Sequence, residues 1–208
     1  MPMQIAFDHL AITAPDLDTG AAHVRTALGI DMPPGGRHPL MATHNRLARL
    51  GDDEFLEVIA TDPDAIPLRP RWFGLDHVGT SPPRLGTWIC RTDDLDAALA
   101  RLPPECGPAV ELTRGNLTWR LSVPDDGSTP FDGMFPALIE WPMHPLPATR
   151  MTDIGCTLDT LTVRHPHAAR IETLIGAALH DPRVRFETGE AIGLDAVIAT
   201  PAGLRSLR

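Results

Sequence analysis

Three stretches of the chain share one pattern: alternating apolar residues, a short polar turn, and then apolar residues at helical spacing. They begin at Asp8, Thr87 and Asp159. Alternation over a few residues is typical of a strand, and apolar residues three or four positions apart are typical of an amphipathic helix. The sequence therefore predicts one small strand-turn-helix unit that is used repeatedly.

Each unit continues into further segments that alternate as β-strands do. In the first unit, residues 46–50 and 55–60 flank the turn 51–53 and are predicted to form a hairpin. The first two helices are predicted to begin after Asp16 and Asp94, because aspartate is a favoured N-cap residue. Each unit is thus a βαβββ module, and the predicted fold class is α+β, with curved mixed sheets, helices outside and a shorter third module.

Proline-rich polar stretches separate the units and predict the domain boundaries. The predicted division is a first module at residues 1–62, a linker at 63–83, a second module at 84–142, a linker at 143–152 and the short third module at 153–208. The helix of a βαβββ module covers one face of its sheet and leaves the other open. Two modules side by side would form a cup, which is the expected ligand site.

The net charge and the composition argue against some classes of binding partner. The formal net charge of -9 argues against a nucleic-acid surface, which needs a basic stripe, and against binding to an anionic membrane. No basic leader precedes an apolar run, and no apolar stretch of about 18 residues occurs. We therefore expect a cytoplasmic protein with a small-molecule partner.

The residue types present also restrict the chemistry. The sequence contains no lysine and no tyrosine, so acid and base roles fall to His, Asp, Glu, Cys or metal-bound water. No glycine-rich phosphate loop is present, which disfavours nucleotide-dependent reactions. The three cysteines are scattered and predict reduced thiols rather than a zinc or redox site.

The differences between the repeats indicate where a site lies. The position of His9 in the first unit is taken by Thr87 in the second and Thr160 in the third. A coordinating or proton-transferring side chain is therefore present in only one of three equivalent places.

In its repeated βαβββ plan the chain resembles the vicinal oxygen chelate superfamily, which includes glyoxalase I, extradiol dioxygenases and bleomycin-resistance proteins. The first 100 residues are similar, more narrowly, to glyoxalase-like domain proteins. The resemblance rests on Asp8-His9-Leu10 at the first strand and on the segments Gly35-Gly36-Arg37-His38-Pro39, Thr43-His44-Asn45-Arg46-Leu47, Leu50-Gly51-Asp52 and Phe55-Leu56-Glu57-Val58-Ile59. One fold of this kind serves isomerases, dioxygenases and plain binders.

The resemblance implies a divalent metal in the cup, held by a first-strand and a fourth-strand residue of each module. Carried over by position, it predicts the metal ligands His9, Glu57 and Glu140, with Thr87 departing from the pattern. His44 could fill the gap from a neighbouring strand. One histidine and two carboxylates suit Zn, Ni, Mn or Fe and leave positions open for water or substrate.

The alternation of side chains along a strand supports two of these predicted metal ligands. If Leu10 points toward the helix, His9 points into the cup together with Phe7. The same test places Glu57 on the inner face, where an unpaired carboxylate would be costly. The predicted catalytic residues are Glu57 and His44, and the predicted substrate-binding residues are His38, His44, Asn45 and Arg46.

Three functions fit these residues. The first is a metal-dependent glyoxalase-like enzyme that acts on a small carbonyl or hydroxy-carbonyl compound by metal polarisation and proton transfer. The second is a metal-free module that binds or sequesters a small molecule, and the third is extradiol ring cleavage. Because two modules can complete a cup within one chain or between chains, a homodimer is also compatible with the sequence.

Overall fold

The computed structural model describes residues 3–115, 117–142 and 144–208. Within these ranges the chain forms three series of one strand, one helix and three strands. The first series is β1 (Ala6–Thr13), α1 (Leu17–Leu28), β2 (Pro34–His38), β3 (Thr43–Leu50) and β4 (Glu54–Thr61). The second is β5 (Arg84–Arg91), α2 (Leu95–Leu99), β6 (Ala109–Arg114), β7 (Leu117–Ser122) and β8 (Ala137–Glu140). The third is β9 (Thr157–His165), α3 (Ala168–Ile175), β10 (Val184–Thr188), β11 (Gly193–Thr200) and β12 (Gly203–Leu207).

This element order confirms the predicted fold class of repeated βαβββ units in an α+β chain. Short 3₁₀ helices lie between the elements, at Trp72–His77, Pro104–Cys106, Pro130–Gly133 and Pro147–Arg150. None of the helices in the described part of the chain is long and apolar enough to cross a membrane.

The first two series share one eight-stranded sheet with the order β2-β3-β4-β1-β5-β8-β7-β6. The antiparallel pair β1 and β5 joins them, so both halves of the cup come from a single chain. The two edge strands approach each other where Gly36 of β2 meets the Arg114 side chain of β6, and a Cβ atom on Gly36 would lie 2.5 Å from Arg114 Cδ. The sheet is therefore curled into a nearly closed barrel.

Capping residues mark where the first two helices begin. Asp16 accepts a hydrogen bond from the Thr19 backbone N–H at 2.7 Å, and Gly29 ends α1 in the left-handed conformation with φ of 73°. Asp94 caps α2 in the same way, through the Ala97 N–H at 2.9 Å. Helix α2 begins directly after Asp94, as predicted, and ends at Leu99.

Helix α1 packs closely on the sheet because Gly20 has no side chain. A Cβ atom at Gly20 would overlap the Val58 side chain of β4 and lie 2.9 Å from Ala14 Cβ. The close approach helps seal the core below the helix, where Val24 and Leu28 are buried.

We expect Gly20→Ala to lower the free energy of unfolding by about 1 kcal/mol. Overpacking a core costs roughly 1–3 kcal/mol, and the better helix propensity of alanine returns about 1 kcal/mol. Urea unfolding at pH 7 measures the change. The matched control is Ala substitution of the exposed Thr26 on the same helix, and a stabilising Gly20→Ala would show that the helix can move away from Val58.

Two apolar clusters lie on opposite faces of the eight-stranded sheet. The convex side carries the larger cluster, which includes Leu10, Trp88 and Leu56, and the helices α1 and α2. The concave side carries a second cluster around Ile59, Ile89 and Ile139. Trp72 and Leu75, from the predicted linker 63–83, are buried in this second cluster, so the segment forms part of the cup.

The third series forms its own four-stranded sheet with the order β10-β9-β11-β12. Its apolar face joins the convex cluster of the large sheet through residues such as Leu161 and Ile198. Thr160, the counterpart of His9, lies on β9, away from the concave face of the large sheet. The third series therefore covers the convex side of the large sheet.

Candidate functional site

The site is built around a β-bulge in the first strand. The pairing of β1 with β5 shifts register between Phe7 and His9, so that His9 lies opposite Ile89. His9 then faces the cup, whereas Phe7 joins the convex cluster. The prediction that Phe7 and His9 point together was wrong, because the extra residue Asp8 interrupts the alternation of the strand.

Asp8 holds the His9 ring in place. Its Oδ1 atom lies 2.5 Å from His9 Nδ1, and its Oδ2 accepts a hydrogen bond from Trp141 Nε1 at 3.1 Å. The His9 ring stacks on Phe55 with 4.1 Å between ring centroids. Both Asp8 and His9 are buried, so the geometry turns the second ring nitrogen of His9 toward the cavity side of the sheet.

Glu57 lies beside that second nitrogen. Its Oε2 atom is 3.8 Å from His9 Nε2, and its Oε1 accepts a hydrogen bond from Asn45 Nδ2 at 2.6 Å. Asn45 Oδ1 in turn accepts from the Gly36 backbone N–H at 2.8 Å. Asn45 thereby fixes one oxygen of Glu57 and leaves the other directed toward His9.

His38 forms the wall behind Asn45. It is buried, its Nδ1 lies 3.0 Å from Thr43 Oγ1, and its Nε2 lies 3.4 Å from Asn45 Nδ2. Burial, with smaller contributions from Arg114 and His44, lowers the pKa of His38 to about 3. His38 is therefore a neutral hydrogen-bonding group at neutral pH and not an acid or base.

Arg114 and Trp72 close the site from the second module and the segment before it. Arg114 Nη1 donates to Asn45 Oδ1 at 3.4 Å, and burial lowers the pKa of the guanidinium. The Trp72 indole packs edge-on against His38 with 5.0 Å between centroids. Together with His9, Glu57 and Asn45 they line a cavity of about 30 Å³, which is room for two or three water molecules.

His44 and Arg46 do not reach this cavity. The unbroken pairing of β3 with β4 places both on the face opposite to Asn45. Arg46 instead donates to Asp18 at the start of α1, with an N–O distance of 2.7 Å. Their predicted roles in catalysis and substrate binding conflict with this placement, because neighbouring residues of a strand point to opposite faces.

Glu140 also lies outside the cavity. Its Oε2 atom accepts a hydrogen bond from the Leu95 backbone N–H at 2.7 Å, at the first turn of α2, and lies 3.6 Å from Arg120. The prediction of Glu140 as a metal ligand is therefore corrected: its strand register turns it toward the helix.

The register of the two halves shows which residues replace His9 and Glu57 in the second. Glu57 is the parallel partner of Ala11, and the corresponding partner of Ile89 is Ala137. Thr87 takes the position of His9, as the sequence repeat predicts. The second half thus supplies a hydroxyl and a methyl group where the first supplies an imidazole and a carboxylate.

These donors do not fit the metal centre that the resemblance implies. His9 and Glu57 are two donors, and a divalent transition metal usually has at least three protein ligands. Among residues 3–115, 117–142 and 144–208, no group of three or more His, Cys, Asp or Glu side chains is arranged to hold a metal ion. Extradiol cleavage needs a second histidine on iron. His44 lies on the other face of the sheet, and His38 lines the cavity with its two nitrogens directed at Thr43 and Asn45.

A larger cleft of about 480 Å³ lies on the far side of Trp141, between the large sheet and the loop before β10. Arg183 of this loop donates two hydrogen bonds to Glu54 of β4, at 2.5 and 2.9 Å. Glu57 and Asn45 do not line this cleft, so it is separate from the candidate site.

Sequence reasoning missed three residues of the site: Asp8, Arg114 and Trp72. The bulge at Asp8 and the closure of the barrel at Arg114 depend on contacts between strands that are far apart in the sequence. Trp72 lies in a stretch whose prolines indicate a linker. The adjacent pair Asp8-His9 is the one local signal that pointed to a carboxylate beside the histidine.

Comparison with known proteins places this geometry in a family. A family model described as a glyoxalase-like domain matches residues 7–179. A hypothetical protein from Staphylococcus aureus has a similar crystal structure, with a TM-score of 0.63 and 14% identity over 91% of this chain and 88% of that chain.

Methylmalonyl-CoA epimerases are more distant. A variant from Streptomyces coelicolor, in complex with 2-nitronate-propionyl-CoA, has a TM-score of 0.48 and 16% identity over 68% of this chain and 100% of that chain. The enzyme from Mycobacterium tuberculosis has a TM-score of 0.43 and 19% identity over 65% and 85%. The comparison with curated proteins gives no match. The family model spans most of the chain, and the chain therefore belongs to the glyoxalase-like domain family of the vicinal oxygen chelate superfamily.

Proposed function

We propose that this protein is an enzyme that moves a proton on a small carbonyl or hydroxy-carbonyl compound, using Glu57 and His9 without a metal ion. The observation that carries the proposal is the contact of two buried ionisable groups, 3.8 Å apart, each held by a further polar side chain. Pairs of buried ionisable side chains commonly act as the acid and the base in general acid-base catalysis.

Each side chain has a role in the proposed step. Glu57 removes a proton from the carbon next to the carbonyl group, and the electron pair of the C–H bond moves onto the carbonyl oxygen to give an enolate. His9 donates a hydrogen bond from Nε2 to that oxygen, while Asp8 holds the ring through Nδ1. Return of the proton to the same carbon completes an epimerisation. In a hydroxy-carbonyl compound the proton of the adjacent hydroxyl moves to the enolate oxygen, and return of the carbon-bound proton to the former carbonyl carbon completes an isomerisation.

The surroundings favour this chemistry over ordinary salt bridging. The Asn45 amide occupies one oxygen of Glu57, so the free oxygen is directed at the space beside His9. The aromatic side chains of Phe55, Trp72 and Trp119 line the site, and apolar surroundings of this kind strengthen electrostatic interactions.

Exchange of α-protons in D₂O tests the proposal. Purified protein is incubated with pyruvate and, separately, with hydroxyacetone, and loss of the α-proton signal is followed by ¹H NMR. We expect enzyme-dependent exchange with at least one compound, and a rate about 100-fold lower for Glu57→Gln, because removing a general base typically costs this much or more. The matched control is Glu111→Gln, an exposed glutamate on β6, which we expect to retain the rate.

Two outcomes would contradict the proposal. If neither compound exchanges faster than in the Glu57→Gln sample, the alternative of a binding or sequestration module is favoured, which the apolar walls also suit. If exchange disappears after dialysis against a chelator and returns with added Zn²⁺, Ni²⁺, Mn²⁺ or Fe²⁺, a metal is required and the role of Glu57 as a free base is wrong.

A further inference from the structure

Arg114 is a partly buried cation whose charge is favoured by Glu57, which lies beyond ion-pair distance. Among the described residues no carboxylate lies within ion-pair distance of its guanidinium, and its one hydrogen bond is the 3.4 Å contact with the neutral Asn45 side chain. An arginine that loses water on folding normally gains a carboxylate in exchange, since an uncompensated buried charge is costly. Arg114 is therefore prepared to receive an anion.

A second donor in the same wall also lacks a partner. The Trp72 indole N–H is buried and makes no hydrogen bond within the described part of the chain. Trp72 and Arg114 both line the cavity that contains Glu57 and His9. Buried N–H groups are nearly always paired, so this donor is left for a molecule that enters the cavity.

The other charges of the site are already matched within the protein. Asp8 lies against His9 at 2.5 Å and 3.8 Å from Arg91, and Glu57 faces His9 and the Asn45 amide. Arg114 feels the charge of Glu57 but has no carboxylate at ion-pair distance among the described residues, and a guanidinium offers two parallel N–H donors that match a carboxylate. The cavity of about 30 Å³ has room for a group of that size beside Glu57.

We propose that Arg114 and the Trp72 indole N–H bind the carboxylate of the substrate, so that the site selects small 2-oxo acids over neutral carbonyl compounds. This inference rests on the proposed function for the role of Glu57, but the binding preference can be measured without turnover. In a 2-oxo acid the carbonyl carbon is bonded to the carboxylate, and the carbon that bears the reacting proton is bonded to the carbonyl carbon. A carboxylate held by Arg114 would therefore keep the reacting carbon in the cavity that Glu57 also lines.

Titrations of binding with pyruvate and hydroxyacetone test the inference, because the two share a carbon skeleton and differ in the carboxylate. We expect wild-type protein to bind pyruvate at least 10-fold more tightly, as measured by isothermal titration calorimetry at pH 7. Arg114→Gln should abolish the preference, and Trp72→Phe, which keeps the ring and removes the N–H, should weaken pyruvate binding several-fold. The control is Arg120→Gln on the neighbouring strand, whose guanidinium bonds Asp96 on the outside and should leave binding unchanged.

Equal affinity of wild-type protein for the two compounds would overturn the inference, and this result does not depend on whether any variant folds. A preference that survives Arg114→Gln would overturn it as well. The Glu57→Gln variant separates the two proposals: it should keep the preference for pyruvate while losing exchange. Exchange without a preference for pyruvate would support the proposed function and contradict the carboxylate site. A preference for pyruvate without exchange would support the carboxylate site and contradict the proposed function.

Discussion

The substitution Arg183→Met is expected to lower the free energy of unfolding by about 3 kcal/mol. Arg183 forms a bidentate ion pair with Glu54, a residue of β4 whose side chain is 11% exposed. Burial raises the pKa of Glu54 although Arg183 opposes the shift, which means that the carboxylate depends on its partner to remain charged. Removal of the arginine leaves that charge buried and unpaired.

The position of this pair makes the effect larger than that of a surface ion pair. Arg183 precedes β10 of the third unit, and Glu54 belongs to the large sheet, so the contact joins the two sheets. The guanidinium also lies 5.6 Å from the centre of the Phe7 ring, where a cation-π contact adds to the packing. Methionine retains much of the apolar stem of arginine and removes only the charged group.

Urea unfolding at pH 7 of a four-member mutant cycle measures the coupling. Glu54→Gln alone removes the buried charge and should cost about 1 kcal/mol, as for the loss of a hydrogen bond. In that background Arg183→Met should cost much less than in the wild type. An equal cost in both backgrounds would show that Arg183 acts through Asp181 or Phe7 and not through Glu54.

The repeated units were predictable from the sequence because their signals are local. An alternating strand, a capping aspartate and an apolar helix face lie within about 25 residues of one another, and each repeat supports the others. His9, Glu57, Asn45 and His38 were also predictable as inward-facing or polar candidates, and the structure brings all four together. Their chemical roles stay predictions.

The residues that were wrongly placed show the limits of this reasoning. His44 and Glu140 each differ by one position from a residue that faces the concave side, namely Asn45 and Ile139. A shift of one residue reverses the face of a strand, so a motif alone does not decide between neighbours. Asp8 and Arg114 depend on a bulge and on the meeting of two sheet edges, which arise only when distant strands pair.

Lowering the pH from 7 to 4.5 is expected to remove about 3 kcal/mol of stability through His38. The pKa of this side chain is about 3 in the folded protein, against an ordinary value of 6.5 in the unfolded chain. Between these two values the unfolded chain binds the proton and the folded protein does not, so stability falls as the pH is lowered. At pH 4.5, two units below the unfolded-state pKa of 6.5, the loss in the free energy of unfolding is about 3 kcal/mol, because each unit contributes about 1.4 kcal/mol.

The cause is the surroundings of the ring, which disfavour a charge. Trp72 and Trp119 both pack edge-on against His38, with centroid distances of 5.0 and 5.8 Å. Its two nitrogens face Thr43 and Asn45, which can hydrogen-bond a neutral imidazole but supply no negative charge. The effect should therefore be absent above pH 7 and should grow steadily below pH 6.5.

Urea unfolding of wild type and His38→Gln at several pH values between 7 and 4.5 measures this contribution. Glutamine can keep a hydrogen bond to Thr43 or Asn45 and does not titrate, so the variant should lose less stability over the same pH range by about 3 kcal/mol. His77→Gln, at an exposed position, is the matched control and should follow the wild type. Parallel curves for wild type and His38→Gln would mean that His38 takes up a proton in the folded protein, and it would then have to be reconsidered as an acid or base of the site.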